Sequence, residues 1–126
     1  MNIIRIISIS SVLVILSATA YAQENKNAGK GVFDKHCTQC HGINGNADTK
    51  LGHMLNKPPA NFTNPDYRDS RGKKLSTYTD EELENKIRYG SKGTAMPSWK
   101  ATLSDEEISD VLAYVRSLQP KTVSSK

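Results

Sequence analysis

Both cysteines of the chain fall in one short run, Cys37-Thr38-Gln39-Cys40-His41, and no other feature limits the available folds as much. Residues three apart face the same side of a helix, so both sulfurs are presented together, with the histidine immediately behind. This C-x-x-C-H pattern is that of c-type haem attachment. The sulfurs add to two vinyl groups along one porphyrin edge, and the imidazole swings under the iron as proximal ligand. A second feature points the same way. From Gly42 to Tyr78 the chain is dominated by Asn, Gly, Pro, Lys and Asp, too poor in core formers to pack on itself. Something other than side chains therefore fills the middle of the domain.

Three other uses of the cysteines compete with this one. A disulfide suits an exported protein, but it gives His41 no purpose. A thioredoxin-like dithiol expects a βαβ setting, and no strand pattern is present. Zinc needs two further ligands, for which His36 and His53 stand at poor intervals.

The start of the chain reads as a signal peptide over residues 1–22. Arg5 is followed by an apolar run from Ile6 to Leu16, then by Ala20-Tyr21-Ala22 with small residues at the cleavage positions. The run is shorter than the roughly 20 residues of a membrane-spanning helix. Export to the periplasm and one domain over 23–126 are expected; retention of the segment as an anchor is the competing reading. The net charge of +4 is mild. Basic residues outnumber acids in 23–74 and roughly balance them in 75–126, which leaves a basic first half able to steer toward an acidic partner. Scattered lysines without a binding motif argue against nucleic acid.

The periodicity is helical throughout. A first helix is expected over about 26–40, with Ala28, Gly29, Val32, Phe33 and His36 on one broad face. A second starts at Thr79, with Glu82 completing a capping box, buries Leu83 and Ile87, and stops at Gly90. A third repeats the device with Ser104 and Glu107. It then sets Ile108, Val111, Leu112, Val115 and Leu118 at helical spacing and ends before Pro120.

For a sixth iron ligand, Met96 is favoured. It stands in Gly93-Thr94-Ala95-Met96-Pro97-Ser98-Trp99 between two capped helices, where the proline limits how the loop presents the thioether. Met54, in a polar loop soon after His41, and His53 are the alternatives. Core filling is the ordinary role of a lone methionine. A thioether favours ferrous iron, and His/Met ligation raises the reduction potential.

With these residues in view, the chain resembles a class I monohaem cytochrome c of the bacterial periplasm. The likeness rests on Gly29 and Phe33, on Cys37-Thr38-Gln39-Cys40-His41-Gly42, on Met96-Pro97-Ser98-Trp99, and on Val111-Leu112-Ala113-Tyr114-Val115. It implies an all-α cytochrome c fold of three to four helices wrapped around one covalent haem c. The first and last helices are then expected to cross, with Gly29 at the close approach and Phe33 against Val111 and Tyr114. Cys37, Cys40, His41 and Met96 would bind the cofactor, His41 and Met96 through the iron. A carbonyl of the proline-containing loop, at Pro58 or Pro59, would hold the other ring nitrogen of His41. Trp99 and Tyr67 would flank the haem or bond a propionate, or else simply pack. The resemblance implies a single-electron carrier, not an enzyme, that shuttles between respiratory or dehydrogenase partners. The alternative is a cytochrome c subunit of a dehydrogenase or oxidase complex. A docking rim including Gly31, Lys35, Lys57 and Lys100 is expected at the basic surface.

Overall fold

The computed structural model describes residues 25–121, so the expected signal peptide at 1–22 lies outside the described residues. The order of elements is α1 (25–36), α2 (Thr38–His41), α3 (Lys50–Met54), a single 3-10 turn at Leu75–Thr77, α4 (Asp80–Tyr89) and α5 (Asp105–Leu118). Among the described residues the only strand-like feature is an isolated bridge between Arg68 and Lys74. The all-α expectation holds, and the described residues form five helices against the three to four expected. The first expected helix breaks at Cys37 into α1 and α2. The polar stretch contributes α3, whose first turn is closed by the Thr49 hydroxyl accepting from Gly52 N at 2.8 Å.

Both long C-terminal helices start as their sequences specify. Thr79 Oγ1 accepts from Glu82 N at 3.2 Å, and Glu82 accepts from Thr79 N at 2.8 Å. Ser104 Oγ accepts from Glu107 N at 3.1 Å, and Glu107 from Ser104 N at 2.8 Å. Each box satisfies two otherwise orphaned amides, and the acids Asp80-Glu81-Glu82 and Asp105-Glu106-Glu107 offset the positive helix ends. Ile108, Val111, Leu112 and Val115 are buried along α5, whereas Leu118 is half-buried.

α1 crosses α5 at Gly29. A Cβ there would lie 1.9 Å from the carbonyl oxygen of Asp110, so only a glycine lets the backbones approach this closely. One turn on, Phe33 is fully buried and meets Tyr114 edge-on at 5.2 Å, with Val111 in the same core cluster. Such an aromatic pair adds about 0.5 to 1.5 kcal/mol beyond area burial. Ala28, expected on this face, is exposed instead, because the contact is narrowed to the turn around Gly29 and Phe33. α4 is held to α5 by Arg88, which pairs with Glu84 at 2.7 Å and with Asp105, and by Arg116, which donates to Asp80 at 2.7 Å and to the Tyr78 carbonyl at 2.6 Å. Among the described residues no helix is long and apolar enough to cross a membrane.

Candidate functional site

A cavity of about 800 Å³ opens between the α2 motif and the segment after α4, and Cys37, Cys40, His41 and Met96 all line it. That volume is of the size that holds a cofactor. The stretch poor in core formers now has its reason: the chain from Leu55 to Tyr78 runs along this space instead of filling it.

α2 sets the first three groups. Its short run is tied by His41 N to Cys37 O at 2.9 Å, which places both sulfurs on the cavity wall. Burial, reinforced by the neighbouring Cys40, pushes the Cys37 thiol up to about 12. Reactive dithiols depend on a depressed thiol pKa. The shift therefore runs against a thioredoxin-like use of the pair.

His41 is oriented from behind. Its Nδ1–H donates to the carbonyl of Ala60 at 3.0 Å, and its ring stacks on Phe62 with centroids 4.6 Å apart and planes 20° apart. Because a carbonyl only accepts, Nδ1 carries the proton and the Nε2 lone pair is left for a ligand's metal. Burial lowers the pKa of the imidazole, with the Ala60 bond opposing in part. Neutral imidazole is the state a metal needs. Pro58 and Pro59 line the cavity, but neither supplies this acceptor: the two prolines stiffen the approach, and the next residue delivers the carbonyl.

The loop carrying Met96 is built onto the end of α4. Gly90 terminates that helix at φ 77° and ψ −179°, a conformation reserved for glycine, and a Cβ there would lie 2.7 Å from the Met96 carbonyl oxygen. Ser91 N then donates to Met96 O at 3.2 Å, and Met96 N to Thr94 Oγ1 at 3.2 Å. Beyond Pro97, Ser98 Oγ and Lys100 N both return to the Arg88 carbonyl, at 2.7 and 3.0 Å. The thioether is thus presented by a loop pinned on both sides. Met54 is 74% exposed and does not line the cavity, and His53 is exposed and paired with Asp48 at 2.8 Å.

The remaining wall mixes apolar side chains such as Leu83, Ile87 and Leu112 with polar groups from 67–71. Tyr67 and Trp99 both line it, and Trp99 meets His36 edge-on at 5.2 Å. At Asp69 the carboxylate accepts from the Tyr78 hydroxyl, from the amides of Arg71 and Lys73 at 2.9 and 3.0 Å, and from the Arg71 guanidinium. The Tyr78 bond leads these in holding its pKa well below the usual carboxylate range. Of the expected docking residues, Lys57 lines the cavity and Gly31, Lys35 and Lys100 do not.

These residues fit a haem: two thiols one turn apart, a neutral imidazole with one nitrogen free, a thioether, apolar walls, and Arg68 and Arg71 for anionic substituents of the ring. Sequence reasoning missed the Ala60 carbonyl and the Phe62 stack. A backbone acceptor leaves no side-chain trace, whereas Phe62 was visible as the single phenylalanine in the polar stretch from Gly42 to Tyr78.

Fold and cavity together define a small α-helical protein whose cavity lining fits a haem. The family model described as cytochrome c oxidase, cbb3-type, subunit III matches residues 24–115. Cytochrome c6 of Euglena viridis is 34% identical over 90 residues, covering 71% of this chain and 88% of that protein. The cbb3-type cytochrome c oxidase subunit CcoP of Azospirillum brasilense is 28% identical over 90 residues, covering 71% of this chain but 27% of CcoP. Among solved structures, the KustC0563 c-type cytochrome superposes with a TM-score of 0.59 at 26% identity, covering 73% of this chain and 98% of that one. The chain belongs to the monohaem cytochrome c family, the group of cytochrome c6 and the cbb3 subunit III domain. Like cytochrome c6 it is an electron carrier and not an enzyme, and membership implies covalent haem c and electron exchange with redox proteins.

Proposed function

We propose that this protein is a periplasmic carrier of single electrons, with one haem c bonded to Cys37 and Cys40 and its iron held between His41 Nε2 and Met96 Sδ. The observation that carries the reading is the convergence of those four side chains on one cavity, with His41 already fixed through Ala60. When bound, the haem supplies the one-electron couple. The chain does the rest. The thiols anchor the ring edge, Ala60 and Phe62 hold the imidazole plane, and the pinned loop keeps a soft donor in reach. With His41 and Met96 both holding the iron, substrate would have no access to it, and the chemistry left would be outer-sphere transfer to larger redox proteins docking at a basic surface. Because the same ligands serve both oxidation states, little needs to move.

The reading is tested on native, exported protein. The expected sample is red on a denaturing gel, is heavier by one haem, starts at Gln23, and shows in its oxidised form the near-infrared band of an iron–thioether bond. A colourless chain of unmodified mass would remove the haem and everything built on it. The likeness to CcoP, a protein named as an oxidase subunit, supports a second reading in which this domain keeps a permanent partner. Sizing of the native protein separates the two, since a free carrier elutes at the mass of one chain.

A further inference from the structure

We infer that Asp69 sets the reduction potential of the protein, its carboxylate serving as a fixed negative charge in the cavity wall that favours the oxidised form; this rests on the carrier function proposed above. Among the described residues that line the cavity, Asp69 is the one carboxylate, against the cations Lys57, Arg68, Arg71, Lys86 and Lys92. Its side chain is 18% exposed, whereas every other ion-paired carboxylate among the described residues is at least 37% exposed. Five hydrogen bonds fix it: the amides of Arg71 and Lys73 reach Oδ1, while the Tyr78 hydroxyl and the Arg71 guanidinium, through Nε and Nη2, reach Oδ2. Behind the carboxylate the turn closes on itself, with Asp69 N donating to Lys73 O at 3.0 Å and Gly72 N to Asp69 O at 2.8 Å. Lys73 then ties the turn to α4 through Glu82 at 2.5 Å.

Tyr78 connects this charge to the cavity. Its buried ring lines the space, with Lys73 Nζ 4.2 Å and Lys86 Nζ 5.1 Å from the centroid, and cations over the ring make the hydroxyl a stronger donor to Asp69. The same charge is felt along the wall at Tyr67, where it joins burial in raising the pKa of the phenol. Arg71 offsets it only in part, because that side chain is 68% exposed and its charge is screened by water, while the carboxylate is held inward. Reduction adds one electron to the site, and a negative charge in a wall less polarisable than water opposes it. Asp69 therefore works against the His/Met pair, which raises the potential, and makes the reduced chain a readier donor than ligation alone would. One electron enters or leaves, with no bond formed and no proton taken up by the carboxylate.

The test is a redox titration of the haem-loaded protein near neutral pH, followed by visible absorbance. Asp69→Asn keeps the shape and removes the charge, and it should raise the ratio of reduced to oxidised protein at a fixed poise about tenfold, which is a rise of about 59 mV for one electron. Asp69→Glu keeps the charge and should stay close to wild type. Asp66→Asn, at a carboxylate that is 83% exposed and does not line the cavity, should change nothing. Tyr78→Phe removes a hydrogen bond but no charge, leaves Asp69 less compensated, and should lower the potential. A carboxylate that merely braced the turn would behave differently: both Asp69→Asn and Tyr78→Phe would admit water, favour the more highly charged oxidised form, and lower the potential together. Ser70→Asp adds a second carboxylate at an exposed position of the same lining and should also lower it, which decides the matter even where Asp69→Asn takes up no haem. A potential that falls or stays unchanged in Asp69→Asn, or does not move in Ser70→Asp, would overturn the inference and leave the haem reading standing; a wild-type chain without haem would overturn that reading instead.

Discussion

The rings of His41 and Phe62 lie almost parallel, 20° apart with centroids at 4.6 Å, and Phe62 in turn meets the buried ring of Phe33 at 6.2 Å. The imidazole is therefore referenced to the helix crossing through two aromatic side chains, as well as to the Ala60 carbonyl.

Phe62 is 9% exposed, and removing its ring leaves a void beneath His41. Phe62→Ala should cost about 3 kcal/mol or more, and Phe62→Leu, which keeps most of the volume, about 1 kcal/mol. Urea unfolding followed by far-ultraviolet circular dichroism measures both. Equal midpoints for the alanine variant and wild type would mean that the ring supports nothing.

At Gly29 the argument is one of excess volume. A methyl group cannot occupy space 1.9 Å from Asp110 O, so α1 and α5 must move apart and loosen Phe33 from Tyr114. Alanine is the better helix former by about 0.5 to 1 kcal/mol, but overpacking of about 3 kcal/mol outweighs it. Gly29→Ala should lower the thermal midpoint by several degrees. Gly31→Ala, on the exposed side with nothing within 4 Å, should raise it slightly.

The acid limb of stability should depend on Asp69. Its carboxylate is depressed below the ordinary value of 3.8, first by the Tyr78 hydroxyl and then by the amides of Arg71 and Lys73. A depressed folded-state pKa gives stability that is complete above the unfolded value, begins to fall below it as the unfolded chain binds the extra proton, and is gone once pH has passed through the folded value. The urea midpoint should therefore decline below about pH 4. Asp69→Asn should flatten that decline while lowering the plateau near neutral pH. An unchanged slope in the variant would transfer the effect to other carboxylates, such as Glu82 or Asp105.

Much of this architecture was legible because it depends on local rules. Thr79 with Glu82 and Ser104 with Glu107 announce two helix starts, and the stripe from Ile108 to Val115 identifies the buried face of α5. The C-x-x-C-H run fixes which turn faces the cavity. What escaped depends on tertiary contact. α3 is a single turn of Lys-Leu-Gly-His-Met with no stripe to detect, and it stands because Thr49 caps it and Gly52 sits close to the Cys40 carbonyl. The carbonyl that meets His41 belongs to an alanine whose side chain says nothing of the role. The turn at Asp69 to Gly72 did carry a signature, since Asp opening and Gly closing a four-residue turn is a common pattern, but its reach to Tyr78 spans nine residues and no local rule reports it.

The two methionines give the sharpest test of the site. Met96 lines the cavity on a loop fastened to the end of α4, while Met54 is 74% exposed and outside it. If Met96 is the sixth ligand, Met96→Ala should abolish the near-infrared thioether band and lower the reduction potential, since loss of the soft donor removes its preference for ferrous iron. Met54→Ala should leave both unchanged. Gly90→Ala should fall between them. Its Cβ would meet the Met96 carbonyl at 2.7 Å, and φ 77° strains any other residue by about 1 to 3 kcal/mol, so the loop should shift and the band weaken without the protein unfolding. A band that persists in Met96→Ala and disappears in Met54→Ala would exchange the roles of the two residues. A band lost in neither would mean that a different donor faces His41.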